Sequence, residues 1–249
     1  MEPEDPSTLY AYYTSGTDNR VVSYPLTHEG DEISLGEETV LVDGIPKGRQ
    51  HNGGRIKFGP DGKLYIATGD AGQRDASQDA DSLGGKILRL NTDGSIPDDN
   101  PSGTEVWTLG HRNVQGLAWD ETDQMWATEF GQDTWDELNF IEPENNYGWP
   151  EVEGTGGEPD YTDPVITWKP AEASPSGLLH NDGNLYVASL RGERMWVMLA
   201  SDPDGTAEHF LEDGPGRIRD IVAAPDDTLW VLTSNGGNDR ILSYQLAPA

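Results

Sequence analysis

The sequence predicts an all-β fold of the propeller type, because one strand–turn–strand unit recurs four times. The copies are RIKFGPDGKLYIATGD (55–70), GLAWDETDQMWATEFG (116–131), GLLHNDGNLYVASLRG (177–192) and DIVAAPDDTLWVLTSNG (220–236). Their turns are rich in Asp, Asn and Gly, which tolerate the backbone angles of tight hairpins. No segment keeps apolar residues at helical spacing over several turns, so we expect little helix.

Each hairpin is followed by a third predicted strand, and three more strands precede the first copy. The following strands lie in KILRLNTDGSI (86–96), ELNFIEP (137–143), RMWVMLASDPDG (194–205) and RILSYQL (240–246). The preceding strands are LYAYYT (9–14), RVVSYPL (20–26) and EETVLV (37–42). Units of three to four strands repeated about every 40–60 residues are typical of propeller blades. We therefore expect residues 1–249 to form a single, partial propeller of about four and a half blades. A pair of β-sandwiches is the alternative.

The chain is strongly acidic, with 45 Asp and Glu residues against 16 Lys and Arg and a net charge of −29. This charge argues against binding to nucleic acid, whose phosphates require a basic surface, and against anionic membrane surfaces. The acids are spread along the chain, and their mutual repulsion strains a compact fold unless salt screens it. We expect a protein of a high-salt organism, with an ordinary acidic secreted protein as the alternative.

Two absences limit the chemistry and the location of the chain. The sequence has no cysteine, which excludes disulfides, thiolate metal sites and cysteine catalysis. No apolar run approaches the ~20 residues of a membrane span, so we expect no membrane insertion. The first residues, MEPEDPST, lack the apolar core of a signal peptide.

His51 is the first candidate for chemistry. Loops between blades crowd one end of a propeller channel, so polar residues just outside the hairpins converge there. His51 stands before the flexible turn Asn52-Gly53-Gly54, and Asp70 closes the same stretch. A neutral imidazole can accept a proton from an alcohol. A histidine that only caps its loop by hydrogen bonds is the alternative.

Three arginines lie near glycines at predicted blade junctions in a chain that has few basic residues: Arg112, Arg217 and Arg219. A guanidinium group binds carboxylates with two parallel hydrogen bonds, so a planar ligand with several carboxylates would suit this set. Pairing with the abundant surface Asp and Glu residues is the alternative.

The segment EFGQDTWDELN (129–139) combines acids with a glycine turn. Ca²⁺ prefers carboxylate and carbonyl oxygens, and Glu137 is the side chain that we select as a ligand. No EF-hand spacing is present in the sequence.

An ordered series of motifs over residues ~10 to 246 resembles the soluble, calcium- and pyrroloquinoline quinone (PQQ)-dependent aldose sugar dehydrogenases, the glucose/sorbosone dehydrogenase family. The motifs are HNGGRIKFGPDGKLYIATGD (51–70), SLGGKILRLNTDGSIPDDNP (82–101), GHRNVQGLAW (110–119), DELNFIEPENNYGWP (136–150), SPSGLL (174–179), ASLRGERMW (188–196) and GRIRDIV (216–222). The resemblance implies a six-bladed propeller with PQQ over the channel mouth.

The resemblance also implies a role for each matching residue. His51 would take the proton of the sugar's anomeric hydroxyl while hydride passes to PQQ, and Arg112 would polarise the C5 carbonyl of PQQ. The implied PQQ-binding residues are Asn113, Arg191, Arg217 and Arg219. The carbonyls of Gly131 and Gln132 would hold the Ca²⁺ that grips PQQ. The implied partners are an aldose substrate and an external electron acceptor, at a location outside the cytoplasmic membrane.

Three departures from the family pattern affect these expectations. Gln132 stands where members usually have proline, and a cofactor-contacting lysine of some members has no counterpart. No glycine-rich GGLL-type turn occurs, so we expect that the front of the propeller is missing and that this chain binds PQQ weakly.

Two rival functions remain, a calcium-dependent lactonase on a similar propeller and a non-catalytic binding module.

Overall fold

The computed structural model describes residues 7–30, 32–157 and 159–245, which are almost entirely β-structure. Its nineteen strands are β1 (Thr8–Thr14), β2 (Asn19–Glu29), β3 (Glu32–Leu35), β4 (Thr39–Ile45), β5 (Arg55–Phe58), β6 (Leu64–Ala67), β7 (Lys86–Leu90), β8 (Val106–Leu109), β9 (Val114–Trp119), β10 (Met125–Glu129), β11 (Asp136–Ile141), β12 (Ile166–Trp168), β13 (Pro175–Asn181), β14 (Asn184–Ser189), β15 (Met195–Leu199), β16 (Glu208–Phe210), β17 (Ile218–Ala223), β18 (Thr228–Thr233) and β19 (Ile241–Gln245). Helical structure in these ranges is confined to α1 (Pro203–Thr206) and 3₁₀ turns at Arg74–Ser77 and Pro101–Gly103. Within the same ranges, no helix has the length and hydropathy needed to cross a membrane.

The strands form five antiparallel sheets that follow one another along the chain. Three sheets have the orders β5–β6–β7–β8, β9–β10–β11–β12 and β13–β14–β15–β16, and the last has β17–β18–β19. In the first sheet β1 and β4 both pair with β2, and β3 extends β2 as a hairpin. The predicted all-β propeller is confirmed, with five sheets where the sequence predicts about four and a half blades.

Each repeated hairpin supplies the first two strands of a sheet, as its turn chemistry predicts. Successive first strands contact one another from β5 through β9 and β13 to β17, so they form the inner wall of the ring. The outermost strands β8, β12 and β16 have only three or four residues, and short edge strands limit the free edges of a sheet.

One aromatic position of the repeat joins each sheet to the next. Tyr65 on β6, Trp126 on β10 and Tyr186 on β14 are buried in clusters that include residues of the following sheet. Burying a side chain of this size contributes about 1.5–3 kcal/mol. The equivalent residue of the last sheet, Trp230 on β18, is 43 % exposed, whereas Trp126 is 3 % exposed. The other exposed apolar residues near Trp230 are Val222, Leu232 and Ile241.

Candidate active site

One end of the propeller collects the residues that the sequence predicts for the site. Antiparallel strands alternate in direction, so the connection into a sheet's first strand and the loop after its second strand lie at the same end. The predicted residues in such connections and loops are His51, Arg112, Asn113, Gly131, Gln132, Arg191 and Arg217. Glu137 and Arg219 are the second residues of β11 and β17, which begin at that end.

His51 and Asp70 form a hydrogen-bonded pair at the centre of this end. The imidazole Nδ1 lies 2.8 Å from Asp70 Oδ1, and the Asp70 side chain is 1 % exposed. Burial alone would raise the pKa of Asp70, but hydrogen bonds from His51, the Gly72 N–H and Trp149 hold it below its usual value. Asp70 is therefore a charged acceptor that fixes Nδ1 and leaves Nε2 of His51 for a ligand.

The backbone around His51 has the left-handed conformation that brings it against Asp70. His51 has a φ of 54°, and its carbonyl accepts a hydrogen bond of 2.9 Å from the Ala71 N–H. A Cβ atom on Gly69 would lie 2.0 Å from the His51 carbonyl oxygen, so only glycine allows this approach. The turn thus holds the backbone of the histidine in place beside Asp70.

Trp149 connects this pair to Arg112. The indole Nε1 donates a hydrogen bond of 2.9 Å to Asp70 Oδ2, the oxygen that His51 does not use. The guanidinium carbon of Arg112 lies 5.3 Å from the centroid of the same ring, within the range of a cation–π contact. The Trp149 side chain therefore contacts both Arg112, the predicted cation, and Asp70, the partner of the predicted base His51.

Arg112 and Asn113 are held through Glu129. The Glu129 carboxylate accepts hydrogen bonds from both backbone N–H groups and from Nδ1 of the buried His111. Arg112 Nη1 donates to the carbonyls of Phe130 and Gly131, but its buried Nε has no hydrogen-bond partner among the described residues. A buried N–H without a partner costs free energy unless a ligand or water accepts its bond. Arg112 is therefore prepared for an anionic or carbonyl ligand.

A small cavity of about 10 Å³, roughly the space of one water molecule, lies beside Arg112 and is lined by several carboxylates. Gly131, Glu137, Glu129 and Glu153 all face it, whereas Gln132 does not. Burial and the nearby charge of Glu129 raise the pKa of Glu137. Its Oε1 accepts a bond from the Gly154 N–H and its Oε2 from Asn139. Among the described residues, no three His, Asp or Glu side chains are grouped as metal ligands.

The loop 131–135 is organised by two acidic side chains. Glu153 Oε1 accepts hydrogen bonds of 2.6–3.2 Å from the N–H groups of residues 132–135, which holds the loop in place. Asp136 accepts the Gly131 N–H at 3.0 Å and the Ser174 N–H at 2.7 Å. Burial, opposed by these bonds, raises the pKa of Asp136 to about 6.

The arginines of the last sheet form a second cationic group. Arg217 Nε donates to the Ser234 carbonyl at 3.1 Å, and Arg219 Nη1 lies 3.3 Å from Ser176 Oγ. Burial and the charges of Arg217 and Arg55 lower the pKa of Arg219. Neither Arg217 nor Arg219 forms an ion pair within the part of the chain that the structure describes. An anion between them would relieve their repulsion, which favours the ligand-binding interpretation over surface pairing.

The two remaining predicted residues, Arg191 and Gln132, have exposed side chains with few contacts to the rest of the site. Arg191 is exposed, and its side chain has no hydrogen bond to another described residue. The Gln132 side chain is exposed and contacts Asp133.

Sequence reasoning gave no role to Trp149 and did not select Arg74. Trp149 stands in the motif DELNFIEPENNYGWP, where an aromatic residue flanked by Gly and Pro could have been singled out. Arg74 lies in the loop after Asp70, and its guanidinium carbon is 4.5 Å from the Trp149 ring centroid.

Comparison with known proteins identifies relatives over nearly the whole chain. The family model described as Glucose / Sorbosone dehydrogenase matches residues 2–243. The chain is 34 % identical to an uncharacterized protein of Synechocystis sp. over 95 % of its own length and 66 % of that protein. It is also 34 % identical to aldose sugar dehydrogenase YliI of Escherichia coli, over 77 % of its length and 59 % of that protein. The chain thus spans less than two thirds of the length of these curated relatives.

A solved structure has the same fold. The PQQ-bound form of aldose sugar dehydrogenase from Streptomyces coelicolor matches with a TM-score of 0.91 and 46 % sequence identity. The match covers 98 % of this chain and 77 % of that one.

Proposed function

Because the chain belongs to the glucose/sorbosone dehydrogenase family, we propose that it is a PQQ-dependent oxidoreductase that converts the anomeric hydroxyl of aldoses to lactones. The observation that carries this proposal is the buried Asp70 carboxylate, which holds His51 on one oxygen and Trp149 on the other. Arg112 lies against the same tryptophan with an unpaired Nε. Oxidation of an alcohol removes the proton of its hydroxyl and a hydride from its carbon, and a positioned base and a neighbouring cation serve these two transfers.

His51 accepts the proton in this proposal. Its Nδ1 is engaged by Asp70, so Nε2 is the nitrogen that takes the proton of the anomeric O–H. The Asp70 carboxylate stabilises the imidazolium that forms, and Trp149 and the Gly72 N–H fix the carboxylate. The site therefore keeps the base oriented before the substrate arrives.

The arginines and Asn113 fit a planar ligand with several carboxylates. The unpaired Nε of buried Arg112 and the mutually repelling Arg217 and Arg219 are the groups that such a ligand would satisfy. We assign Asn113, Arg217 and Arg219 to PQQ, with Arg191 as a further contact at the rim. PQQ, when bound, supplies the quinone that takes up hydride from the sugar carbon.

We extend the proposal to calcium, which the cavity beside Arg112 suits by its donor chemistry. Glu137 and Gly131 line that cavity, and Gln132 is the next residue of the same loop. Carboxylate and carbonyl oxygens are the ligands that Ca²⁺ prefers, and a cation would offset the charge that Glu129 places near Glu137.

The electrons of the reduced cofactor would pass to an external acceptor, and we propose a location outside the cytoplasmic membrane. The expectation that this chain binds PQQ weakly stays a prediction.

A dye-linked assay separates this function from its rivals. The protein is incubated with excess PQQ and Ca²⁺, and reduction of an artificial acceptor by an aldose is followed. We expect reduction with lactone formation in the wild-type protein and its loss in His51→Ala. Lactone hydrolysis without PQQ would instead support the lactonase, and the absence of both activities would contradict an enzymatic function.

A further inference from the structure

Arg74 carries an exposed positive charge that forms no ion pair with any acidic residue in the described ranges. In the parts of the chain that the structure describes, its guanidinium has neither a hydrogen bond nor an ion pair. Four other arginines have a carboxylate oxygen within 2.9 Å: Arg20, Arg55, Arg89 and Arg194. Among the described residues, Arg74 shares the lack of an ion pair with the other arginines of the proposed site, Arg112, Arg191, Arg217 and Arg219.

Arg74 lies at the same end of the propeller as His51 and is connected to it through Trp149 and Asp70. Its guanidinium carbon lies 4.5 Å from the ring centroid of Trp149, and that ring donates to the carboxylate that holds His51. Only the two side chains of Trp149 and Asp70 therefore separate the arginine from the base. Arg112 contacts the same ring but is buried against the cavity, whereas Arg74 stands at the solvent side.

The loop that carries Arg74 is fixed. Lys86 Nζ donates to the carbonyls of Ala76, Ser77 and Gly84 at 2.7–3.0 Å. Gln78 Nε2 donates to the Trp149 carbonyl at 2.7 Å, which connects this loop to the β11–β12 connection that contains the tryptophan. The backbone at Arg74 is thus held while its head group is free to bind, an arrangement that lowers the entropic cost of ligand contact.

We propose that Arg74 binds an anionic substituent of the sugar, so that the preferred substrates are acidic aldoses with a carboxylate or a phosphate. This inference rests on the proposed function of the same site. A guanidinium fork binds both groups with two hydrogen bonds, and stacking on Trp149 keeps the fork oriented. The surrounding charge of −29 disfavours anionic sugars, so a local cation is required to retain one.

Equilibrium binding tests the inference without turnover. Calorimetric titrations compare D-glucuronate, D-glucose 6-phosphate and D-glucose at one fixed salt concentration that keeps the protein folded. We expect at least one of the two acidic sugars to bind about tenfold or more tightly than glucose, as for hydrogen bonds to charged groups. Comparison of the carboxylate and the phosphate sugar identifies the group that Arg74 binds.

Three variants assign the preference to Arg74. Arg74→Gln should reduce it to less than about twofold, and Arg74→Lys should retain part of it because the charge remains without the fork. Lys63→Gln removes one positive charge at the opposite end of the propeller, where Lys63 bonds Asn91, and should keep the preference. A preference that is absent from the wild type, or that survives in Arg74→Gln, would overturn the inference.

Two further measurements separate alternatives. If Arg74 served the cofactor, Arg74→Gln would weaken PQQ binding in a fluorescence titration and leave the sugar preference intact, which would also overturn the inference. Dye reduction with glucose tests the proposed function independently. A binding preference for acidic sugars without dye reduction would support the role of Arg74 and contradict the proposed function. Dye reduction without such a preference would support the proposed function and contradict the role of Arg74.

Discussion

Asp70 joins His51 to Trp149, because its Oδ1 lies 2.8 Å from the imidazole Nδ1 and its Oδ2 accepts a bond of 2.9 Å from the indole Nε1. The three residues come from three separate loops at one end of the propeller. The carboxylate therefore fixes the orientation of the base and the position of the ring that Arg112 and Arg74 contact. This relationship makes Asp70 the positioning residue of the proposed site.

Replacing Asp70 by asparagine should lower kcat for aldose oxidation by about 100-fold or more. The amide keeps the volume of the side chain but has no charge to stabilise protonated His51. KM for the aldose should change little, since the Asp70 side chain is buried and is not exposed to a ligand. Steady-state kinetics with a dye acceptor measure both constants.

Trp149→Phe provides the matched control for this prediction. It keeps an aromatic ring but removes the N–H that bonds Asp70, together with part of the ring surface that Arg112 and Arg74 contact. We expect a loss in kcat of about tenfold, smaller than that of Asp70→Asn, because the carboxylate keeps its charge and its bond to His51. An Asp70→Asn protein with wild-type kcat and an unchanged circular dichroism spectrum would refute the positioning role.

Lys86 predicts a specific pH dependence of stability. Its buried ammonium donates to three carbonyls, and burial lowers its pKa to about 8 from the ordinary 10.5. Between these two values the unfolded chain binds the proton and the folded chain does not, so the free energy of unfolding rises with pH. The shift corresponds to on the order of 3 kcal/mol.

Urea unfolding of the wild type and Lys86→Met from near neutrality to about pH 10 measures this effect. The variant loses the donor to three carbonyls and should be less stable throughout. It also lacks the titrating group, so the stability difference in favour of the wild type should grow as the pH rises. A difference that stays constant with pH would contradict the lowered pKa.

Two equivalent tryptophans of the repeat should differ in their contribution to stability. Trp126→Ala should cost about 3–5 kcal/mol, because Trp126 is buried between two sheets. Trp230→Ala at the same position of the last sheet should cost about 1 kcal/mol or less, since its ring is partly in solvent. Thermal unfolding of the two variants checks the contrast, and equal losses would show that Trp230 is packed in solution.

The net charge of −29 predicts that salt stabilises the fold. The Debye length falls to about 3 Å at 1 M salt, so repulsion between neighbouring carboxylates is screened. We expect the unfolding midpoint to rise steeply with KCl and then to level off. Sucrose at matched osmolality should give a smaller rise, and equal effects of sucrose and KCl would exclude charge screening as the cause.

The repeat made the fold predictable, because turn chemistry and alternation are local properties of each hairpin. The strands around 64–67, 125–129, 184–189 and 228–233 follow directly from it. The aromatic residue near the start of each strand, Tyr65, Trp126, Tyr186 or Trp230, did not indicate its own burial, which depends on the neighbouring sheet.

The site was predictable only in part. His51 and Arg112 stand out as scarce residue types next to glycines, and the structure brings them to one end. The bond between Asp70 and Trp149 joins residues 79 positions apart, and no local pattern encodes it. The unpaired state of Arg74 likewise depends on where every nearby carboxylate lies, which only the folded chain defines.

Anaerobic single-turnover reduction of bound PQQ tests the central claim most directly. Wild-type protein and His51→Gln are loaded with PQQ and Ca²⁺, mixed with aldose without any electron acceptor, and followed by the absorbance of the quinone. The account predicts rapid reduction in the wild type and reduction at least about 100-fold slower in His51→Gln, with equal PQQ affinity. Equal reduction rates in the two proteins would contradict the role of His51 as the base.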